Sequence, residues 1–313
     1  MKIVSLLPSA TEIVCALGLG DRLVGVTHEC DFPPAVQQLP KVTRTLIPGD
    51  ASSREIDRLV RRRLETQRAL YTLDLPALEA LAPDLIVTQA LCEVCAVAED
   101  EVQAAARALP GRPAVVNLEP RTLSEMLAAI RQVAGAASVE AKAEKLISDL
   151  QSRIDAVAAR TAGIARRPRV ALLEWLDPLF SCGHWSPELV RLAGGVEGFG
   201  QEGQPSRTVD WAELIAWQPE VVVAACCGLA VERTLTDLPL LTSRPGWREV
   251  SAASSGRLYV VDGSHYFSRP GPRLVDSLEV LAHALHPDVH PLPAGLPDPR
   301  RAEHALAASP RSG

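Results

Sequence analysis

The stretch that decides the fold occurs twice: residues 77–87 read ALEALAPDLIV, and residues 212–223 read AELIAWQPEVVV. In each copy a short helical pattern ends at a proline, an acidic residue follows, and branched apolar residues come next. Because proline disfavours helix in the preceding residue and branched residues favour strands, each copy predicts a helix that leads into a buried strand. The repetition predicts two halves of one design.

Other segments repeat in the same order. In the paired segments 2–18 and 169–195, Ser9 and Ser186 are predicted as the N-caps of the corresponding helices. Strands that are continuous apolar runs and alternate with helices predict parallel sheets covered by helices on both faces. The predicted fold class is therefore α/β, with two Rossmann-like lobes. The paired segments are KIVSLLPSATEIVCALG (2–18) with RVALLEWLDPLFSCGHWSPELVRLAGG (169–195), and GRPAVVNLEP (111–120) with GRLYVVDGSHY (256–266).

Between the two copies, residues 137–163 contain no proline, and no glycine before Gly163. Their apolar side chains recur at helical spacing, so we predict one rigid helix of about 35–40 Å. The segment 52–74 lies outside the repeat and is predicted as an additional helix. The predicted organisation is an N-terminal α/β lobe (1–135), an interlobe helix (136–166), a C-terminal α/β lobe (167–286) and a disordered, Pro/Ala/Arg-rich tail (287–313).

Composition narrows the function. The chain has 313 residues, 47% of them apolar, and its net charge of −6 argues against nucleic acid as a partner. No apolar run reaches the ~18–20 residues of a membrane span. The chain opens directly on a strand pattern, which predicts a cytoplasmic location, or a periplasmic one if a leader was removed. Seven cysteines without a disulfide framework predict reduced thiols.

Chemically rich side chains follow the predicted strands. In open parallel sheets, ligands bind beyond the carboxyl ends of the strands, so we expect these residues to line a cleft between the lobes. Five of the twelve aromatic residues fall in two of these loops, which predicts a flat, apolar ligand. The candidate ligand-binding residues are Ser9, His28, Glu29, Cys30, Asp31, Cys92, Cys95, Trp175, Phe180, His184, Trp185, His265, Tyr266, Phe267 and Arg269.

Three functions fit these loops. The first is a protein that binds a metal-centred macrocycle, with His28, His184 or His265 at the axial position of the metal and Arg269 on a phosphate or amide edge. The second is a zinc or iron site, with Cys92, Cys95, Cys30, His28 and His184 as candidate ligands. The third is an enzyme with Cys92 or Cys95 as nucleophile. We favour the first, which requires no resident cofactor, with both cysteines as thiols lining the site.

The sequence also resembles a known family. KIVSLLPSATEIVCALGLGDRLVGVT (2–27), LAPDLIV (81–87), the 137–163 helix and GRLYVVDG (256–263) are similar to the helical-backbone (class III) substrate-binding proteins, which serve importers of cobalamin, haem and iron–siderophore complexes. The resemblance covers about residues 1–286 and is strongest to cobalamin-binding members, with loops that look like a soluble subgroup. It implies a corrinoid ligand, no enzymatic activity and an ABC permease as partner.

One departure concerns that partner. Members that dock on a permease usually carry a surface glutamate on each lobe. The corresponding positions here are Pro76 and Ala212, with Glu79 and Glu213 nearby. The resemblance therefore implies that docking on the usual transporter is altered.

Overall fold

In this computed structural model, residues 1–47, 51–66, 71–89 and 99–302 are described. The chain divides into unit 1, which comprises Met1–Pro120 and Ser124–Leu150, and unit 2, which comprises Arg121–Leu123 and the chain from Gln151 onward. The division falls inside the long helix rather than at its ends, where the sequence had suggested the lobe boundaries.

Unit 1 is built on a four-stranded parallel sheet in the order β2-β1-β5-β6. Strands β1 and β5 are buried throughout, as their branched apolar runs predict. Strands β3 and β4 form a separate antiparallel pair. The elements are β1 (Ile3–Ser5), α1 (Pro8–Ala16), β2 (Leu23–Val26), β3 (Thr43–Thr45), α2 (Ser53–Thr66), β4 (Tyr71–Leu73), α3 (Leu75–Leu81), β5 (Leu85–Gln89), α4 (Glu99–Ala108), β6 (Ala114–Leu118), α5 (Leu123–Ala136) and α6 (Glu140–Thr161), the last continuing into unit 2.

Unit 2 repeats this sheet. Strands β9, β7, β10 and β11 take the places of β2, β1, β5 and β6, and all four are parallel. This matching order confirms the predicted α/β repeat. The elements are β7 (Arg169–Leu176), β8 (Leu179–Ser181), α7 (Ser186–Leu192), β9 (Val196–Glu197), α8 (Trp211–Trp217), β10 (Val221–Ala224), α9 (Val231–Asp237), α10 (Pro239–Thr242), α11 (Ser251–Ser254), β11 (Leu258–Val260), α12 (Leu274–Leu285) and β12 (Arg300–Arg301).

Unit 2 adds antiparallel strands at both edges of its sheet: β8 pairs with β7, and β12 pairs with β11. The β7–β8 pair corrects the sequence analysis, which had placed Trp175 and Phe180 on a loop. Trp175 lies on β7 opposite Phe180 on β8. The chain reverses at Asp177-Pro178, and the apolar residues on both sides continue as strand.

The repeated helix–proline–acid–strand segment is fixed in the same way in both units. Asp84 accepts a hydrogen bond from the main-chain N–H of Lys2 through its carboxylate (2.6 Å) and donates its own N–H to the carbonyl of Lys2 (2.9 Å). Glu220 does the same with Arg169, at 3.1 and 2.8 Å. The acidic residue after the proline therefore ties the start of one strand to the start of its neighbour.

The long helix is confirmed. Helix α6 is continuous over 22 residues and so spans about 33 Å from the helical rise per residue. In its first half, Glu144 is bound by Arg131 on α5 at 2.7 Å. In its second half, Arg153 bonds to Asp276 and Glu279 on α12 at 2.5 and 2.6 Å.

The predicted disorder of the C-terminal tail is wrong for residues 287–302. His290 is 2% exposed, and its Nε2 lies 3.2 Å from the hydroxyl of Thr161. Strand β12 extends the sheet, and the Arg301 guanidinium lies 5.6 Å from the ring centre of Tyr259. The segment shows no hydrophobic periodicity because it packs as extended chain through a few anchoring residues. The rest of the predicted tail lies outside the described residues.

The predicted N-caps are displaced by one position or more. Helix α1 begins at Pro8 with Leu7 at the N-cap, so Ser9 lies inside the helix. Helix α7 begins at Ser186 itself. In both cases a proline at the start of the helix sets its beginning without a side-chain cap.

Candidate functional site

In unit 1, the loop after β2 carries a half-buried imidazole held by threonine hydroxyls. His28 Nδ1 lies 2.8 Å from Oγ1 of Thr43 and 3.3 Å from Oγ1 of Thr27. The main-chain N–H of His28 also donates to Thr43 Oγ1 at 3.1 Å, and the Thr43 hydroxyl donates to Thr27 Oγ1 at 2.7 Å. The imidazole is therefore oriented by its own loop and by strand β3.

Burial lowers the pKa of His28, with Lys41 acting in the same direction and Glu29 opposing both. An ordinary histidine already loses most of its charge at neutral pH. The ring of His28 is therefore neutral at pH 7, which is the form that binds metals.

Tyr71 and Thr43 are site residues that the sequence analysis missed. The ring centres of Tyr71 and His28 are 5.0 Å apart with a tilt of 52°, and the Tyr71 hydroxyl donates to Oε1 of Glu29 at 2.7 Å. Tyr71 lies on β4, inside the segment that was predicted as helix. Its pairing with β3 brings it to the loop, and no local pattern indicates this.

Two of the predicted unit 1 residues are interior rather than surface groups. Ser9 is 3% and Cys30 2% exposed. Cys30 Sγ lies 3.0 Å from Thr11 Oγ1, whose own hydrogen goes to Oγ of Ser5, so the thiol donates into a buried polar chain beneath the loop. This corrects the expectation that they line a ligand surface. Glu29 is exposed and Asp31 half-buried, as a surface loop requires.

In unit 2, Trp175 belongs mainly to the core. It packs against the buried cluster beneath the sheet, and its indole nitrogen is buried without a hydrogen-bond partner among the described residues. Its partner Phe180 is half-buried on β8. Trp175 and Phe180 are both half-buried, so exposure does not separate them as ligand contacts.

His184 is half-buried on the loop that follows β8. Its φ angle is +52°, and two main-chain hydrogen bonds, to Gln204 (2.6 Å) and from Gly203 (2.9 Å), hold this conformation. Its ring stacks on Trp185 with centres 5.6 Å apart. Burial, and then the charge of Arg121, lower the pKa of His184, so this imidazole is also neutral at pH 7.

Trp185 connects two of the loops in unit 2. Its indole N–H donates to the carbonyl of Phe267 at 2.8 Å, and the two residues are 7% and 3% exposed. The prediction that Trp185 presents its face to a ligand is therefore corrected: the ring is a packing element that positions its neighbours. Arg269 is also buried, at 7% exposed, and its contact with a ligand stays a prediction.

The loop after β11 is a turn of π-helix, Gly263–Phe267, capped by Asp262. The Asp262 carboxylate accepts from the main-chain N–H of His265 (2.8 Å) and lies 2.7 Å from His265 Nδ1. A Cβ at Gly263 would lie 2.0 Å from the carbonyl oxygen of Cys226, so this close approach requires glycine. Burial raises the pKa of the half-buried Tyr266, whose ring lies 5.2 Å from the Arg273 guanidinium.

Two carboxylates that the sequence analysis missed support these loops. Glu174 accepts from the N–H of Gly183 at 3.0 Å. Glu197 accepts from the N–H groups of Phe199 and Gly200, while burial raises its pKa to about 7. A glutamate within the apolar run RVALLEWL was the available signal for Glu174.

The metal-ion alternative gains no support from the described residues. In the described ranges, no three His, Cys, Asp or Glu side chains converge to hold an ion. Cys92 and Cys95, on which that alternative depends, lie outside the described residues. The five cysteines inside them form no disulfide bond with one another, and burial raises the pKa of Cys182 far above its ordinary value, which makes this thiol unreactive.

Across the described part of the chain, no helix combines the length and apolar character needed to cross a membrane.

Two α/β units of matching topology, with one continuous helix running from the first into the second, are typical of helical-backbone solute-binding proteins. A family model described as "Periplasmic binding protein" matches residues 3–264, and the chain belongs to this family. The family consists of solute-binding proteins rather than enzymes, which confirms the prediction that this protein binds its ligand without converting it.

Individual relatives are more distant. An uncharacterized ABC transporter substrate-binding lipoprotein of Bacillus subtilis is 25% identical over 92% of this chain and 80% of its own length. A vitamin B12-binding protein of Vibrio cholerae is 22% identical over 89% and 86%. The apo structure of a periplasmic heme-binding protein from Roseiflexus sp. RS-1 has a TM-score of 0.70 at 23% identity, covering 92% of this chain and 98% of that one. This likeness confirms the fold class.

Proposed function

We propose that this protein is the substrate-binding component of an ABC importer and that its ligand is a metal-centred macrocycle, a cobalamin or another corrinoid. The family membership and the ABC-transporter name of the Bacillus subtilis relative support the first part. Relatives named for vitamin B12 and for heme support a metal macrocycle as the ligand class.

The observation that carries the ligand class is the pairing of single neutral imidazoles with aromatic rings. His28 lies beside Tyr71 in unit 1, and His184 is stacked on Trp185 in unit 2. A bare metal ion needs three or four protein donors, which do not converge in the described residues. A macrocycle supplies the equatorial donors itself, so one imidazole suffices for an axial position, and an aromatic side chain such as Tyr71 suits its flat face.

The charges on the unit 1 loop favour a corrinoid over a haem. Glu29 is exposed and Asp31 half-buried, and both are acceptors when ionised. The rim of a corrin carries amide groups, which donate to carboxylates, whereas the rim of haem carries carboxylates, which these residues would repel. The negative net charge of −6 acts in the same direction.

The proposed partner is an ABC permease. We propose that it contacts residues other than the usual pair of docking glutamates. Pro76 and Ala212 are exposed in the first turns of α3 and α8. Glu213 is bound to Arg207 at 3.1 Å and to the N–H of Asp210 at 3.0 Å, so its carboxylate is engaged within unit 2. Glu79 is exposed on α3 and is the group we expect a permease to contact in unit 1.

The proposed location is outside the cytoplasmic membrane, where importers receive their substrates. The lipoprotein and periplasmic descriptions of the relatives support it, and nothing supports the cytoplasmic location expected from the opening of the chain. The placement of the ligand in a cleft between the lobes stays a prediction.

Titration with cyanocobalamin, aquocobalamin and haemin, followed by visible absorbance and calorimetry, tests the ligand. We expect saturable one-to-one binding of the corrinoids and weaker binding of haemin, in a protein purified without stoichiometric zinc or iron. Stoichiometric metal that disappears in the Cys92→Ser, Cys95→Ser double variant would instead establish the metal-ion alternative.

A further inference from the structure

The hydrogen bonds around Thr43 fix which nitrogen of His28 carries the proton. A threonine hydroxyl has one hydrogen to donate and two lone pairs. Thr43 gives its hydrogen to Thr27 at 2.7 Å and accepts the main-chain N–H of His28 at 3.1 Å. The 2.8 Å contact between Thr43 Oγ1 and His28 Nδ1 is then a bond only if Nδ1 carries a hydrogen, because otherwise two lone pairs would face each other.

A His28 ring with a single proton therefore carries it on Nδ1 and leaves Nε2 bare. The longer contact with Thr27, at 3.3 Å, agrees with this, since Thr27 Oγ1 can accept part of the same N–H. Among the described residues Nε2 has no hydrogen-bond partner. A nitrogen lone pair after a parallel strand, on a ring oriented by the hydroxyls of Thr43 and Thr27, is a ready metal donor.

The aromatic ring beside this imidazole is also fixed. Tyr71 packs its ring 5.0 Å from that of His28 and is held in place by its hydroxyl bond to Glu29. His184, in contrast, has neither ring nitrogen in a hydrogen bond within the described residues. His28 thus has its donor atom prepared before the ligand arrives. His265, whose Nδ1 lies 2.7 Å from the Asp262 carboxylate, is the competing imidazole, and its alanine variant separates the two.

We infer that His28 coordinates the metal of the bound macrocycle through Nε2, and that the protein therefore selects chelates whose axial ligand can be exchanged. This inference rests on the proposed function. For a corrinoid the preferred form is aquocobalamin, in which water occupies one axial position. Cyanocobalamin carries cyanide on one face and its tethered nucleotide base on the other, and neither leaves as readily as water.

The step is a ligand substitution. The bond between cobalt and water breaks, the lone pair of Nε2 forms the new bond to cobalt, and water leaves as a neutral molecule. No proton moves, because Nε2 carries none, and the oxidation state of cobalt is unchanged. The hydroxyls of Thr43 and Thr27 keep the other nitrogen protonated throughout.

The test compares visible spectra and affinities of aquocobalamin and cyanocobalamin with the full chain. We expect the bands of aquocobalamin to shift on binding, as when water is replaced by an imidazole, and its affinity to exceed that of cyanocobalamin by about 10–100-fold. In His28→Ala the shift should disappear and the two affinities should become equal. At saturating aquocobalamin, His184→Ala and His265→Ala should still show the shift, whatever their affinity. Loss of the shift in either of these, or its persistence in His28→Ala, would overturn the assignment.

Thr43 is a positioning residue, and its variants distinguish an effect on the orientation of His28 from an effect on folding. Thr43→Val should lose the shift and about 10–100-fold in affinity for aquocobalamin, with binding of cyanocobalamin unchanged, and Thr43→Ser should restore both. Thr72→Val, on the exposed face of β4, is the matched control and should behave as the parent. Equal losses for both cobalamins in Thr43→Val would show a purely structural role and contradict the inference.

The two conclusions can fail separately. Aquocobalamin that binds with an unchanged spectrum overturns the coordination by His28 and leaves the proposed function standing. A His28-dependent shift with haemin but not with aquocobalamin supports the coordination and overturns the choice of a corrinoid. Absence of binding by both macrocycles overturns both.

Discussion

Unit 1 and unit 2 share a sheet order but hold the loops at the ends of their strands by different chemistry. In unit 1 the loop with His28 is fixed by the hydroxyls of Thr27 and Thr43. In unit 2 the loops are fixed by carboxylates, those of Glu174 and Glu197 among them. Hydroxyls do not titrate in the physiological range and carboxylates can, so the groups that hold these loops can change charge with pH in unit 2 but not in unit 1.

The shared part of the design is the tie between neighbouring strands. Asp84 and Glu220 each exchange two hydrogen bonds with the residue at the start of the first strand of their unit. What differs lies at the opposite, carboxyl ends of the strands. The two units therefore share the hydrogen bonds that link neighbouring strands. They differ in the loops at the carboxyl ends of the strands, which carry the candidate site residues.

The largest effect is expected where one indole joins two loops of unit 2. Trp185→Ala should lower the free energy of unfolding by about 3–5 kcal/mol, the cost of removing a buried aromatic side chain. Trp185→Phe should keep most of the packing and lose about 1–3 kcal/mol, because the carbonyl of Phe267 is left without its donor. Urea denaturation measures both. If Trp185→Ala instead leaves the stability unchanged and weakens corrinoid binding, Trp185 contacts the ligand, as the sequence analysis expected.

An intermediate effect is expected from Glu197, whose pKa burial raises from 4.5 to about 7. Below pH 4.5 the carboxyl is protonated in the folded and unfolded chain, and its stabilising contribution is complete. Between pH 4.5 and 7 only the folded chain keeps the proton, so this contribution falls as the pH rises and is lost above about 7. It amounts to about 3 kcal/mol or less.

Denaturation at pH 5 to 8.5 checks this sign. The stability of the parent relative to Glu197→Gln, which cannot titrate, should decline as the pH rises. The exposed Glu249 provides the control, and Glu249→Gln should run parallel to the parent. A constant difference between the parent and Glu197→Gln across this range would contradict the assignment.

The smallest effect on stability is expected for Asp84 and Glu220, which link neighbouring strands, and it should differ between the two units. The Glu220 side chain is 19% exposed and that of Asp84 61%, and the N–H of Arg169 lowers the pKa of Glu220. Glu220→Gln should therefore cost about 1–3 kcal/mol, and Asp84→Asn less than about 1 kcal/mol because solvent screens the exposed carboxylate. Thermal unfolding ranks the two, and a larger loss for Asp84→Asn would refute the shared role.

Much of the fold could be predicted because its signals are local. Proline at 83 and 219 ends a helix, the apolar runs after it form strands, and the spacing along α6 gives one helix. The extended segment 287–302 was wrongly predicted as disordered because the signals that fix it are not local. Its order comes from contacts of His290 and β12 with distant residues, which leave no periodic pattern.

The candidate site was predicted less well. Position after a strand correctly singled out His28 and His184 as loop residues, but it could not separate surface groups from interior ones such as Cys30. Tyr71 was missed because the segment that contains it has a helical pattern. Antiparallel pairing with β3 decides its position, and such pairing depends on register between segments rather than on either segment alone.

The sequence by itself determined the repeated α/β units, their strands, the long helix and the loops that carry the chemistry, since periodicity, proline and branched residues act over a few neighbouring positions. Only the tertiary structure decided how these loops are held. Thr43 reaches His28 across 15 residues, and Trp185 reaches Phe267 across 82. A hydrogen bond between remote segments requires both to be placed by the sheet first, and no short stretch of sequence encodes that placement.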